Sequence, residues 1–172
     1  GFEELAKAGL TTEQILTGGL ESALTLAAAG EIEVGQAAET TAAALTQFNL
    51  AGAQAGLGAD RLAKGAAVAQ GGAGDLSAAL NQSGLVASQF GLTLEETVGG
   101  LTAFAQAGLI GSDAGTSFRA ALLRLQNPTE ESKKLLEQYG IELVNSRGEF
   151  IGLSEIAGQL QDRLSGLTEE QR

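Results

Sequence analysis

The sequence predicts an all-α fold, a bundle of short helices separated by glycine. Apolar residues recur at steps of three and four along most of the chain, which places them on one face of a helix. The chain has 25 glycines and a single proline in 172 residues. Because a glycine inside a helix costs about 1 kcal/mol relative to alanine, we expect most glycines at helix ends, where their backbone freedom is useful.

The composition limits both the core and the chemistry. Hydrophobic residues make up 44% of the chain but aromatic residues only 4%, so the core is expected to be thin and rich in alanine. The net charge of −11 argues against a nucleic-acid surface, which needs clustered cations. Cysteine and histidine are absent, which removes disulfides, thiolate chemistry and the commonest metal ligand and general base. We expect no enzymatic site and no cofactor, and the absence of methionine suggests a segment excised from a longer protein.

The first third of the chain predicts three or four helices. Residues 2–8 have the pattern of the end of a helix. Thr11 and Gln14 have the capping-box spacing, and they open a second helix that carries the pair Gly18-Gly19, which is expected to weaken the helix or to let another helix pack closely. Residues 31–48 predict the next helix.

The clearest break in the chain is Gly71-Gly72-Ala73-Gly74. A short helix led by Asp60 is expected before it, and helices that start after Asp75 and after the capping box of Thr93 are expected beyond it. We expect a single helical domain over 1–172, with a possible two-part organisation into 1–70 and 75–172 about this break.

The densest run of unusual residues extends from Gly108 to Pro128. It predicts a glycine-marked turn, a helix capped by Ser112 or Asp113, and a stop at the proline. Asn127 is expected to cap the following helix, because proline disfavours helix in the residue before it and is welcome at a first helical position.

A different pattern follows this helix. Residues 141–144 and 149–153 are apolar with β-branched content, and they flank the turn sequence Asn145-Ser-Arg-Gly148. This pattern predicts a small β-hairpin at 141–153. Ser154 is then expected to cap a last helix.

One short pattern, Gly-Leu-Thr-x-Glu, recurs along the chain at 9–13, 91–95 and 166–170. Its physical content is a helix stop, an apolar anchor and a helix cap. Two explanations stay open: convergent use of the same helix-turn-helix signals, or an ancestral duplication around the Gly71–Gly74 break.

Candidate chemical sites in the sequence have structural explanations. The acidic pairs, such as Glu95-Glu96, lie in first turns, where they complement the helix dipole. The glycine-rich runs lack the strand and the Gly-Lys-Ser/Thr order of a phosphate-binding loop. Gly111 and Gly115 have the spacing of a close helix contact, although cap or loop glycines explain them as well. Arg119 is either a surface cation or a residue that ties its helix to a neighbouring turn by bidentate bonds.

The run Gly108-Leu-Ile-Gly-Ser-Asp-Ala-Gly-Thr-Ser-Phe-Arg119 resembles the core region of the tail tape measure proteins of long-tailed bacteriophages and prophages. Residues 90–98 and 101–108 upstream, and 137–164 downstream, are similar to the same region, so the resemblance covers nearly the whole chain. The resemblance identifies a structural family motif that consists of the residues Gly108, Gly111, Gly115, Thr116, Arg119 and Pro128.

The resemblance implies a helical module inside the tail tube that contributes to tail assembly and tail-length determination. It implies the virion tail interior as the location, with the bacterial cytoplasm during assembly. The implied partners are tail tube and baseplate or tail-tip proteins, tail assembly chaperones and further copies of the chain, without sequence-specific nucleic acid. No catalytic residue is carried over. The alternative is a membrane-active helical segment that aids DNA passage on ejection, with contact to the membrane only then, through 23–30 and 51–74.

Overall fold

The computed structural model describes residues 2–50, 54–68 and 70–166, except for the side chains at 55–57, 59 and 164. The described residues confirm the all-α class. The helices are α1 (Phe2–Lys7), α2 (Thr12–Gln14), a π-helical turn (Ile15–Gly19), α3 (Leu20–Gly30), α4 (Val34–Gln47), α5 (Ala55–Val68), α6 (Gly72–Gln89), α7 (Leu94–Gln106), α8 (Gly111–Gln126), α9 (Glu130–Tyr139) and α10 (Leu153–Leu164).

The chain divides into two compact units, residues 1–120 and 121–172, and α8 contributes to both. The division does not fall at Gly71–Gly74, where the break between helices is short. Helix α5 ends at Val68, α6 begins at Gly72, and α5 packs against both α6 and α7.

In the unit of residues 1–120 the helices pack both on their neighbours in the sequence and on helices that are not adjacent to them in the sequence. Helix α3 packs on α4 and α5, while α6 packs on α4, α5 and α7. Alanine and leucine occupy the buried apolar positions in about equal numbers, as the composition predicts. One cluster joins α1, the π-helical turn, α3 and α4 and consists of Leu5, Leu10, Ile15, Ala23, Ala38, Ala42 and Leu45.

The unit of residues 121–172 contains the end of α8, then α9, an irregular segment and α10. Ile141 and Ile156 are its buried isoleucines. The amide of Gln159 pairs with the backbone of Glu142: its oxygen accepts from the Glu142 N–H at 2.8 Å, and its nitrogen donates to the Glu142 carbonyl at 3.3 Å. This pair holds the irregular segment on α10.

The predicted β-hairpin at 141–153 is wrong, since the described residues contain no strand there. A single antiparallel bridge joins Val144 and Phe150, around a turn in which the Asn145 side-chain oxygen accepts from the Arg147 and Glu149 N–H groups at 2.9 and 3.0 Å. Val144 is half exposed. An isolated two-stranded hairpin is marginal in water without a third strand or a buried face, so the turn forms and the strands do not extend.

Several predicted helix starts differ from the structure. Thr129, rather than Asn127, caps α9 by accepting from the Ser132 N–H at 3.2 Å, because a proline favours an extended residue before it and leaves the threonine at the helix entry. Helix α10 begins at Leu153 after Gly152, so Ser154 is not its cap. Helix α5 begins at Ala55, well before Asp60.

Candidate functional site

Six helix ends share one geometry, the Schellman motif. A residue with positive φ follows the helix, and the N–H of the next residue, an apolar one, donates to the carbonyl five residues earlier. At Leu10 this bond runs to the Leu5 carbonyl at 3.1 Å, and at Leu92 it runs to the Ala87 carbonyl at 3.0 Å. The positive-φ residues are Gly9, Glu31, Asn49, Gly91, Gly108 and Gly140, and the apolar residues are Leu10, Ile32, Leu50, Leu92, Leu109 and Ile141.

Two copies of the recurring Gly-Leu-Thr pattern have the same structure in full. Thr11 accepts from the Gln14 N–H, and Thr93 accepts from the Glu96 N–H, each at 3.2 Å. In both boxes the side chain three residues on accepts from the cap N–H at 2.9 Å. The two predicted capping boxes are therefore confirmed. Of the copy at 166–170, residues 167–170 lie outside the described residues.

The family-motif stretch forms the corner between α7 and α8. Gly108 has φ +89°, and the N–H of Leu109 donates to the Phe104 carbonyl at 2.9 Å. Gly111, with φ +59°, begins α8, and a Cβ there would lie 2.8 Å from a carboxylate oxygen of Asp75. Neither Ser112 nor Asp113 is the cap, because the helix has already begun. The corner therefore depends on two glycines in left-handed conformation.

Gly115 of α8 lies close to the backbone of α6. A Cβ at this position would meet the Ala79 carbonyl oxygen and would lie 2.8 Å from Ala79 Cα and from Gln82 Cβ. Next to it the rings of Phe104 and Phe118 meet edge to face, with centroids 5.7 Å apart, an arrangement that aromatic pairs favour. The two motif glycines thus have different roles: Gly111 supplies the turn and Gly115 supplies the close approach.

The polar motif residues do not form a chemical site. Thr116 and Arg119 are both exposed. In the described part of the chain Arg119 has no ion pair and no hydrogen bond, so the expected bidentate bonds are not formed there. Pro128 belongs to the unit of residues 121–172. The structure thus brings Gly108, Gly111 and Gly115 together at one corner.

Several close helix contacts lie at glycines that the sequence reasoning did not single out. In α5, a Cβ at Gly65 would meet the Val98 side chain of α7 and would lie 3.2 Å from Leu76 of α6. A Cβ at Gly84 of α6 would meet the side-chain oxygen of Gln47. The signal in the sequence is a glycine inside an otherwise regular helical pattern. Such a glycine often has a packing reason.

The unit of residues 121–172 contains an apolar groove with a volume of about 500 Å³. Helix α9 has no buried residue, and its Leu135 is 53% exposed within this groove. The lining residues are Ala121, Arg124, Leu125, Pro128, Ser132, Leu135, Leu136, Tyr139, Ile141, Leu143 and Leu160. Volumes of roughly 300–1,000 Å³ are typical of ligand pockets. This lining offers one guanidinium and two hydroxyls without a carboxylate, so it suits apolar contact rather than general base catalysis.

The charged groups of the described residues are surface groups. No cluster of three or more potential metal ligands occurs among them. The ion pairs Lys7–Glu3, Arg61–Glu95 and Lys133–Glu130, at 2.8, 3.2 and 2.7 Å, all involve exposed side chains, whose net contribution is about 1 kcal/mol or less. None of the described helices combines the length and the apolar character needed to cross a membrane. Of the stretch 51–74, residues 51–53 and 69 lie outside the description.

Comparisons with known proteins agree with the family resemblance of the residues that form the corner between α7 and α8. The model of the phage-related minor tail protein family matches residues 1–172. The chain is 36% identical over all 172 residues to the tape measure protein of Pneumococcus phage Dp-1, of which it spans 15%. It is 35% identical over 86 residues, half of the chain, to the "Probable tape measure protein" of Escherichia phage P2, of which this match spans 11%. No solved structure matches the chain significantly. The chain belongs to the phage-related minor tail protein family.

Proposed function

We propose that this chain is a structural module of a tail tape measure protein and acts in tail assembly and tail-length determination. The observation that carries the proposal is the similarity over the complete chain to the tape measure protein of phage Dp-1, within a family of minor tail proteins. Because the chain spans only 15% of that relative, the activity of the whole protein is part of the proposal.

The fold supports a role in packing rather than catalysis. The motif glycines set helix geometry, the charged side chains of the described residues lie on the surface, and the groove of the unit 121–172 has an apolar lining. We propose that the module is not an enzyme. Zymography on bacterial cell walls tests this directly, since a zone of clearing by the purified chain would contradict it.

The proposed location is the interior of the virion tail, after synthesis in the bacterial cytoplasm. The proposed partners are tail tube and baseplate or tail-tip proteins, tail assembly chaperones, and further copies of the chain. Cross-linking followed by mass spectrometry on purified virions is expected to join this module to tail proteins. Cross-links to capsid proteins alone would refute the location.

Deletion of the module tests its part in tail length. In a phage that carries this chain, an in-frame deletion of residues 1–172 is expected to give shorter tails in negative-stain electron microscopy. The largest shortening is about 260 Å, which corresponds to 172 residues in one continuous helix at about 1.5 Å per residue. Tails of unchanged length and number would contradict the proposal.

A variant in the core distinguishes an effect on tail assembly from an effect on tail length. Leu80 is fully buried in α6, and Leu85 on the same helix is 57% exposed. Leu80→Asp is expected to lower the number of tails without changing the length of those that form, because it unfolds the module but keeps the number of residues. Leu85→Asp is the matched control and is expected to give normal tails. Normal tail numbers with Leu80→Asp would remove assembly from the proposed role.

A further inference from the structure

The corner between α7 and α8 differs from the other Schellman helix ends in the exposure of its apolar residue. At Leu10, Leu92 and Ile141 the apolar residue is buried, with at most 8% of its surface exposed. At two further helix ends it is half-buried. Leu109 is 41% exposed, so among the six described helix ends this one covers its apolar residue least.

A second aliphatic residue takes the place of the helix cap at this corner. In the two complete copies of the Gly-Leu-Thr pattern a threonine, Thr11 or Thr93, stands directly before the helix and caps it. The same place before α8 is occupied by Ile110, which is 42% exposed, although aliphatic residues are among the least favourable caps. Leu109 and Ile110, the corner pair, are therefore adjacent exposed side chains that helix formation does not require.

Acidic groups border the corner pair. Asp113, in the first turn of α8, is exposed and has neither an ion pair nor a hydrogen bond in the described part of the chain. A carboxylate oxygen of Asp75 lies beside Gly111, 2.8 Å from the place of a Cβ. The corner thus presents an apolar surface with negative charge at its border.

The groove of the unit 121–172 has the opposite charge at its border. Arg124 lines it, and the Arg163 guanidinium lies 3.9 Å from the place of a Cβ at Gly140, next to the lining residues Tyr139 and Ile141. Both arginines are exposed and have no ion pair with another described residue. No acidic residue lines the groove, although the chain has 21 acidic and 10 basic residues. The groove is therefore complementary to an apolar surface that carries carboxylates.

We propose that the corner pair of one copy of the chain docks in the groove of a second copy. The groove volume of about 500 Å³ is in the range that holds drug-sized ligands, which exceeds what two four-carbon side chains need. Leu109 and Ile110 cover Leu135, which is 53% exposed in the single chain, and Asp113 meets Arg124. Apolar contact supplies the affinity, and the opposite charges orient the two copies.

The position of the two surfaces along α8 makes this a contact between copies. The corner pair directly precedes α8, and Arg124 lies in its last turn. The helix is continuous over 16 residues, a length of about 24 Å, so a corner pair meets the groove of another chain. Because each copy offers one corner and one groove, the contact is head-to-tail and joins copies into a series or a ring.

The proposal deepens the contact between copies that forms part of the proposed function. Its test uses the 172-residue chain alone, whereas the proposed function is tested by tail length in virions. Either can therefore fail without the other.

Analytical ultracentrifugation of the 172-residue chain measures the association. A contact of this size is weak, so the average mass is expected to rise with concentration over the micromolar to millimolar range. Leu109→Gln combined with Ile110→Thr removes the corner pair and introduces the threonine that caps the other copies of the pattern. Leu135→Gln changes the groove at an exposed position. Each variant alone is expected to associate at least about tenfold more weakly.

The two variants are expected to complement each other in an equimolar mixture. The first retains an intact groove and the second an intact corner pair, so one contact per pair of chains remains. Heterodimers are expected that grow no further. Leu85→Gln changes an exposed leucine of α6 that belongs to neither surface, and this matched control is expected to associate like the unchanged chain.

Charge reversal tests the pairing of Asp113 with Arg124. Asp113→Arg is expected to weaken association at least about threefold, and Arg124→Asp in the same chain is expected to restore it. Glu39→Arg makes the same change in net charge at an exposed position of α4 outside both surfaces, and it is expected to leave the association unchanged.

Three results overturn the proposal. If the unchanged chain stays monomeric throughout the concentration range, the groove does not receive a second copy. If the mixed variants form no heterodimer, any association uses other surfaces. If Arg124→Asp does not restore the association that Asp113→Arg weakens, the charge complementarity that identifies the occupant is absent.

Discussion

Alanine in place of Gly115 tests whether the family corner is built on a close helix contact. The added methyl group would lie 2.8 Å from Ala79 Cα and from Gln82 Cβ, about 0.7 Å short of the usual separation of non-bonded carbons. Glycine to alanine in a helix normally stabilises by about 1 kcal/mol. Overpacking a close contact costs about 1–3 kcal/mol, and we expect the upper part of that range, about 2–3 kcal/mol, because the Ala79 backbone cannot rotate away. We expect a net loss of about 1–2 kcal/mol.

The assay is thermal unfolding followed by circular dichroism at 222 nm. With about 2–4 °C per kcal/mol for a chain of this length, Gly115→Ala is expected to lower Tm by about 5 °C. Gly99→Ala is the matched control: Gly99 lies inside α7 with no neighbour within 4 Å of the new Cβ, so its Tm is expected to rise by about 3 °C. If both variants raised Tm equally, the close contact between α8 and α6 would not exist in solution.

Three further variants test other parts of the fold. Thr93→Ala removes the cap of α7 and is expected to lower the free energy of unfolding in urea by about 1 kcal/mol. Thr93→Ser retains the hydroxyl and is expected to lower it little. Equal losses in the two variants would show that the hydroxyl has no role. Leu80→Ala is expected to lower the free energy of unfolding by about 2–5 kcal/mol, and Leu85→Ala by less than about 1 kcal/mol, because only Leu80 is buried. Similar losses in the two variants would contradict the burial of Leu80 in the core. Arg61→Gln breaks the exposed pair with Glu95 and is expected to change the unfolding free energy by less than about 1 kcal/mol, with the difference vanishing at high salt.

Local signals in the sequence predicted two capping boxes and the helix stop at Gly108 correctly. The capping boxes at Thr11 and Thr93 follow from hydroxyl and carboxamide or carboxylate groups three residues apart, and such contacts need no tertiary partner. The stop at Gly108 followed in the same way from a glycine before an apolar residue. These features are determined within one turn of helix, so the sequence contains all the information that they require.

Features that depend on residues distant in the sequence were predicted less well. The apolar, β-branched residues at 141–153 indicated strands, but among the described residues no neighbouring strand covers Val144, and a single bridge forms there. The glycine that lets α5 approach α7, Gly65, is indistinguishable in the sequence from a helix-weakening glycine such as Gly99. Which of the two meets a neighbour is decided by the packing of other helices.

The candidate site, too, was predicted only in part from the sequence. The motif glycines were identified from the sequence, and the structure gives separate roles to Gly111 and Gly115. The groove lined by Leu135 was not predicted, because α9 has an ordinary amphipathic pattern in the sequence. Its exposure results from the lack of a covering element among the described residues of the unit 121–172.

The packing of helices onto others close by in the sequence has a consequence for synthesis. In the unit of residues 1–120, α3 meets α4 and α5, and α6 meets α4, α5 and α7, so these contacts join helices that are adjacent or one helix apart. Local helical contacts of this kind are associated with fast folding. We expect each helix pair to form soon after it leaves the ribosome, so that the alanine-rich faces of this unit are covered while the chain is still being made.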